Sequence, residues 1–270
     1  MSIPFFIVGV GRCGSTRLYE LLASRPEIAL TNEGKIVDLL YFFSRYAALP
    51  ESSSGDFLLQ EPVKLRGLLP PKSVPVVSSV VAAHAREMLL EIYRSLFPGK
   101  QFTHWGDKLP DPHAALAVQS LFSDTRFVIL IRDPRDVLCS YRSFAKKPHV
   151  IADNSIMTRP LPLPEFCANY RNIYEGAVRD LRPHHLVHYE RLVSDPVGEV
   201  KKIFAHLGID PGSAEVVSTE SKELFSLHAT SKSPADSVGR WQRDLTKAEV
   251  LEVESVLGSL MEVHGYARAC

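Results

Sequence analysis

The amino-acid sequence predicts an α/β fold of three layers: a mostly parallel central sheet, helices on both faces, and a P-loop-like first turn. Three observations predict it. Phe5 to Val10 and Arg126 to Ile131 (RFVILI) are apolar runs of the kind found in parallel strands buried on both faces. A helical pattern follows each of them at once. Strand and helix patterns then alternate along all 270 residues without repeat, low-complexity tract or linker, so residues 1–270 read as one domain.

The first strand leads through glycines into a helix over Thr16–Ala23, which Ser24-Arg25-Pro26 ends. Ile28–Leu30 reads as a short strand and Lys35–Tyr46 as a helix. Residues 50–73, with Ser52-Ser53-Ser54-Gly55 and Pro70-Pro71, read as a surface excursion. Val76–Phe97 has apolar residues at helical spacing up to the stop signal Pro98-Gly99. Phe102–Trp105 is a short strand and Pro112–Phe122 a helix. The strand Arg126–Ile131 runs into a helix over Pro134–Phe144, and a proline-rich loop fills 146–164. A helix over Phe166–Leu181, a strand over His185–Tyr189 and an amphipathic helix over Val197–Leu207 follow. The polar loop Thr230–Ser237 precedes a final helix from Lys247 to about Val263.

Lys and Arg together number 31, as do Asp and Glu. That balance disfavours a general nucleic-acid or membrane-surface binder, which carries a basic excess. A local basic pocket stays open, because net charge says nothing about distribution. Cys13, Cys139, Cys167 and Cys270 include no CxxC pair, and no histidine pair stands at zinc-finger spacing. They read as free thiols of a reducing compartment. No basic region followed by a long apolar stretch opens the chain, and no run reaches the ~18 apolar residues of a membrane span. The expectation is a cytoplasmic protein with no metal and no nucleic-acid or membrane partner. No association motif indicates an oligomeric state.

The stretch GVGRCGST, Gly9 to Thr16, joins the first strand to the first helix. A glycine-rich turn at a helix N-terminus is an anion site: it presents unpaired N–H groups at the positive end of the helix dipole. Gly11 and Gly14 allow close backbone approach, and Ser15 and Thr16 add hydroxyl donors. A nucleotide triphosphatase would carry a lysine at position 15, reaching the β- and γ-phosphates. Here Ser15 stands there and the loop's cation is Arg12. A magnesium-dependent kinase is therefore disfavoured.

A second stretch, VILIRDPRDVLCSY, puts Arg132 at the carboxyl end of a strand. Asp133 suits a helix N-cap and Pro134 the first helical position. Ligands of open α/β sheets bind at that rim, so Arg132 belongs with the first loop, and Ser140 lies about two turns further along the helix. Arg135 and Asp136 read as a surface pair.

The two stretches together resemble the sulfotransferase family, which uses 3′-phosphoadenosine 5′-phosphosulfate (PAPS) and releases 3′-phosphoadenosine 5′-phosphate (PAP). GVGRCGST looks like the family's 5′-phosphosulfate loop, so the resemblance assigns Gly11, Arg12, Cys13, Gly14, Ser15 and Thr16 to the cofactor. Arg132 and Ser140 have the spacing of the arginine and serine that hold the 3′-phosphate. HYERLVSDP resembles an element whose tyrosine, here Tyr189, lies near the nucleotide. SVGRWQRDLT resembles the segment that closes over the cofactor, which implicates Ser237 and Arg240, with Lys232 beside them; Trp241 reads as core filling. The resemblance runs through nearly the whole chain in order. It implies transfer of a sulfuryl group between two in-line oxygens, with Arg12 steadying the leaving bridging oxygen.

For the base, the closest motif spacing is that of the tyrosylprotein-type and bacterial members, over RPEIALTNEG. Their catalytic glutamate stands where Glu33 stands after Arg12. Lys108, in WGDKLP, corresponds to a lysine that contacts the leaving phosphosulfate. His104 is a reserve base. The other histidines show no metal-ligand spacing. The acceptor loops, 45–75 and 145–165 with Phe42, Phe43, Tyr46 and Phe57 at or near the first, are moderately polar, which points to a small-molecule or carbohydrate acceptor of oxygen or nitrogen. Two alternatives remain: a nucleotide kinase on a P-loop fold and a non-catalytic nucleotide-binding protein.

Overall fold

The computed structural model describes residues 2–34, 74–109, 112–152, 161–211 and 227–269. Strand β1 (Ile3–Val8) is followed by helix α1 (Ser15–Ala23) and β2 (Ile28–Asn32). Helix α2 (Val74–Leu96) leads to β3 (His104–Leu109), α3 (Pro112–Leu121) and β4 (Arg126–Ile131). Helices α4 (Pro134–Phe144), α5 (Pro148–Ala152) and α6 (Leu163–Arg171) come next. The last runs on through a π turn, Asn172–Ala177, to Asp180. Then come β5 (His184–His188), α7 (Tyr189–Ser194) and α8 (Pro196–Leu207). Helices α9 (Trp241–Asp244) and α10 (Lys247–Val263) end the described chain.

All five strands are parallel, in the order β2-β3-β1-β4-β5. The β1-to-β2 connection runs one way across the sheet and the later ones run the other. Right-handed crossovers therefore set helices on both faces, which makes the three layers. β1 is central, and Pro4 to Val8 are all buried, which is why this run is apolar rather than alternating. Trp105 is the largest fully buried side chain, with Tyr93 at 5.2 Å and Phe122 edge-on at 6.0 Å. Aromatic pairs of this kind add ~0.5–1.5 kcal/mol each beyond their burial.

Most expected elements stand within two residues of their sequence bounds. β3 differs in kind. It starts at His104 and extends to Leu109, so Asp107 and Lys108 lie inside the strand rather than after it. The extension works because residue 106 has no side chain: a Cβ there would stand 1.6 Å from the Phe5 carbonyl oxygen of β1. Tyr189 opens α7 instead of closing β5. The proline-rich loop contains the short helix α5. The expected helix over Lys35–Tyr46, the excursion over 50–73, and Phe42, Phe43, Tyr46 and Phe57 lie outside the described residues. Cys13, Cys139 and Cys167 are free and buried. Among the described residues, no helix is long and apolar enough to cross a membrane.

Candidate active site

β1 hands the chain to one side of the sheet and β4 to the other. Their carboxyl ends therefore frame the crevice where doubly wound sheets bind ligands. Both sequence stretches converge there, on a cavity of about 320 Å³. Two tyrosines of the α6 segment join their floors. The Tyr174 hydroxyl donates to the Leu130 carbonyl (2.7 Å) and accepts from the Val10 N–H (3.3 Å), and Tyr170 donates to the Arg132 carbonyl (2.6 Å).

Gly14 is the N-cap of α1, at φ 100°, in the left-handed region. A Cβ there would also stand 2.2 Å from the Tyr189 ring, so only glycine fits on both counts. A glycine cap carries no side-chain acceptor, which leaves the first-turn N–H groups of α1 available to an anion. Gly11, Gly14, Ser15 and Thr16 line the cavity. Cys13 does not: its N–H donates to the Val10 carbonyl at 3.2 Å, and its buried thiol, pushed up by desolvation, packs into the core. Arg12, at φ 70°, lies with its guanidinium 4.0 Å over the Phe144 ring and donates to the His228 carbonyl at 2.5 Å. Desolvation, with Arg132 nearby, pulls it down to about 10, so it stays charged at neutral pH.

Arg132 is buried, 4.4 Å over the Tyr189 ring. It donates to the Ser237 carbonyl at 2.5 Å and to the Arg12 carbonyl at 3.2 Å. Ser140 lines the same wall, with its hydroxyl 3.0 Å from that of Thr230. The Ser237 hydroxyl lies 2.9 Å from that of Tyr189. Arg240 does not reach the cavity. It braces the wall from behind, bonded to Thr230, Ser231, Ser143 and Asp244.

At the other end, Glu33 and Lys108 form an ion pair at 2.6 Å, with the lysine buried and Glu33 half exposed. They meet because β2 and β3 are parallel neighbours, with Asn32 opposite Lys108. Glu33, at φ 54°, turns back over its partner strand. His104 lies at the opposite end of β3, buried, with Nε2 2.9 Å from the Leu207 carbonyl and Nδ1 3.0 Å from the Thr103 hydroxyl. It precedes Lys108 by four residues, ~13 Å along a strand, so it cannot serve as a base at this cavity.

The expectation of a surface pair at Arg135 and Asp136 is overturned, because both are buried. Arg135 pairs with Asp133 at 2.7 Å and Glu254 at 2.6 Å and lies 3.8 Å over the Trp241 ring. Asp136 accepts from the N–H groups of Gly239 (2.7 Å) and Trp241 (2.9 Å), which pins the segment carrying Ser237 onto α4. Trp241 is therefore half-buried clamp rather than core. Asp133 caps α4, accepting from the Arg135 N–H, with proline at the first helical position. Sequence reasoning missed Phe144 and His228, whose rings stack at 5.9 Å beside Arg12, and Thr230. A cation–π partner more than a hundred residues away in the chain leaves no local signal.

The donor set fits an anionic ligand such as a phosphorylated nucleotide. Among the described residues, four cations, Arg12, Arg17, Lys108 and Arg132, line the cavity against two carboxylates, Glu20 and Glu33, in a chain of zero net charge. The Nε atoms of Arg12 and Arg132 are buried with no hydrogen-bond partner among the described residues. Among those residues no group of three or more His, Cys, Asp or Glu could hold a metal ion.

Residues 4–212 match the family model described as the sulfotransferase family. Nodulation protein NoeE of Sinorhizobium fredii is 25% identical over 294 aligned residues, covering 98% of this chain and 66% of that protein. Carbohydrate sulfotransferase 5 of Mus musculus is 28% identical over 170 residues, covering 52% of this chain and 41% of that protein. The chain thus spans less than two thirds of either relative's length. The sulfotransferase domain of the Synechococcus PCC 7002 olefin synthase superposes with a TM-score of 0.53 at 20% identity, covering 96% of this chain and 94% of that one. A mouse sulfotransferase complexed with PAP gives 0.50 at 16% identity, covering 96% and 85%. At these identities the two structures speak for the fold.

Proposed function

The chain belongs to the sulfotransferase family, and from that premise we propose that it transfers the sulfuryl group of PAPS to a hydroxyl or amine of a small-molecule or carbohydrate acceptor, within one catalytic domain. One observation carries the reading: Arg12 and Arg132, from separate strand-end loops, meet at a cavity that also holds the Glu33–Lys108 pair. The carbohydrate option draws support from the name of the mouse relative.

PAPS supplies an activated sulfuryl group, which moves as a loose anionic unit much as a phosphoryl group does. The N–H groups of the first turn of α1, with Ser15 and Thr16, hold the 5′ end of the donor. Arg132, Ser140 and Ser237 hold the 3′-phosphate, with Tyr189 behind them. Arg12 and Lys108 stabilise the charge that develops on the leaving oxygen, and fixed charges in a partly dry cleft do this at little reorganisation cost. Glu33 takes the proton of the attacking hydroxyl or amine. That proton neutralises Glu33 and frees the Lys108 ammonium for the leaving oxygen as it becomes anionic.

The test is calorimetric binding of PAP without metal, against ADP with magnesium. The proposal expects tight metal-free binding of PAP and weak binding of ADP with magnesium. The reverse preference would overturn it in favour of a nucleotide kinase.

A further inference from the structure

We infer that Asp107 is a positioning residue for this reaction, its buried carboxylate setting Glu33 and Lys108 in register with each other. The inference rests on the reading of Glu33 as the base.

Glu33 occupies a left-handed conformation, φ 54°, which a non-glycine residue holds only when its surroundings impose it. The next residue shows what imposes it. The Gly34 N–H points at both oxygens of Asp107, at 3.2 and 3.4 Å. The same carboxylate accepts the N–H of Lys108 at 2.9 Å. One group thus grips the peptide after Glu33 and the peptide that carries Lys108. The 2.6 Å ion pair between the two side chains closes the ring.

The frame around Asp107 is rigid. It is fully buried and lies opposite Thr31 of β2 and Phe6 of β1 in the sheet. The Thr31 hydroxyl bonds to the Gly106 carbonyl at 3.2 Å and stands 3.1 Å from the Tyr93 hydroxyl of α2. The titratable groups that face Asp107 are Tyr19 from α1, Tyr93 from α2, Lys108 from its own strand and Glu33 from the turn after β2. The Lys108 ammonium is engaged with Glu33, so the Asp107 charge is met by N–H groups and a hydroxyl. Burying a carboxylate on such terms is costly, and desolvation pushes it up to about 6. An apolar residue would serve the core better. The carboxylate serves the Glu33 turn.

The experiment compares Asp107→Asn, Asp107→Ala, Glu33→Gln and the double variant Glu33→Gln with Asp107→Asn. It measures kcat with both substrates saturating, and PAP affinity for each. Asp107→Asn is expected to lower kcat by about 10- to 100-fold, the scale of a displacement near 1 Å, and Asp107→Ala at least as much. PAP affinity should stay within about twofold, because the contacts of Arg12 and Arg132 do not run through Asp107. In the Glu33→Gln background the second substitution should cause no further loss, as for residues that act as one unit. Full kcat in Asp107→Asn, or a multiplicative loss in the double variant, would overturn the inference. A parallel loss of PAP affinity would also overturn it, in favour of a purely structural role. If Glu33→Gln itself keeps full kcat, the base assignment falls first and this inference with it.

A wild-type measurement stands free of folding defects. The Gly34 amide resonance is expected to titrate near pH 6 with the Asp107 carboxyl, and the acid limb of kcat should share that midpoint. A Gly34 amide that does not move across that range would overturn the contact.

Discussion

Replacing Arg132 by alanine tests the cofactor pocket at its most loaded point. Arg132 is buried and presents one guanidinium to the wall that holds Ser140 and Ser237. A charge-assisted hydrogen bond contributes ~1.5–3 kcal/mol, and truncating one partner of a buried charged pair costs ~2–5 kcal/mol. Arg132 already gives part of its hydrogen-bonding capacity to the Ser237 and Arg12 carbonyls, so the lower half of that range applies. A loss of ~2–3.5 kcal/mol is roughly 30- to 300-fold in Kd at about 1.4 kcal/mol per tenfold. Losing the two carbonyl contacts and the Tyr189 stacking weakens any nucleotide to the same degree. The assay is therefore a ratio: Kd of PAP and of adenosine 5′-phosphosulfate, which lacks the 3′-phosphate, on wild type and variant by calorimetry. Both ligands should weaken, and PAP more than adenosine 5′-phosphosulfate by roughly that factor, because only PAP loses the 3′-phosphate contact. Equal losses for the two ligands would show that Arg132 only braces the loop, and no loss for PAP would refute the 3′-phosphate assignment.

Three more expectations follow from the same geometry. Gly14→Ala should lower Tm and weaken PAP binding by at least tenfold, because the new Cβ meets the Tyr189 ring at 2.2 Å and φ is 100°; thermal melts and calorimetry check this, and wild-type values would contradict the packing argument. Asp136 is held at about 6 in the folded protein against 3.8 ordinarily, so the fold binds its proton more tightly and its contribution to stability falls as pH rises through that window; Asp136→Asn should flatten the slope of Tm against pH there and weaken PAP binding by loosening the Gly239–Trp241 clamp. His104→Gln should lower Tm by a few degrees, since it disturbs the bond to the Leu207 carbonyl, while steady-state kcat stays unchanged.

The parts of this fold that were legible in the sequence are those whose cause is local. An apolar run buried on both faces announces β1 and β4, and a proline after an aspartate announces the start of α4. Both phosphate-loop candidates could be read because the strand, the turn and the helix start lie within a few residues of each other. Local signals also mislead. His104, the reserve base, and Lys108 are near neighbours in the sequence, yet they lie toward opposite ends of one strand, and the extent of β3 was hidden by a glycine and an aspartate that strand propensity disfavours. Arg135 and Asp136 looked like surface charges because their partners, Glu254, Gly239 and Trp241, lie more than a hundred residues away. Phe144 and His228 were missed for the same reason: each acts on Arg12 through the fold, not through the chain.

Sulfuryl transfer with Glu33 as base is open to one decisive measurement. PAPS radiolabelled in its sulfuryl sulfur is incubated with the protein and a panel of hydroxyl and amine acceptors, small molecules and carbohydrates alike, without divalent metal. Label should pass to at least one acceptor with equimolar release of PAP, and Glu33→Gln should lower the rate by about 100-fold or more while PAP binds as tightly as before. Transfer that Glu33→Gln leaves untouched would contradict the assignment of the base. No transfer to any acceptor, with a phosphoryl group moving from ATP with magnesium instead, would contradict the account as a whole.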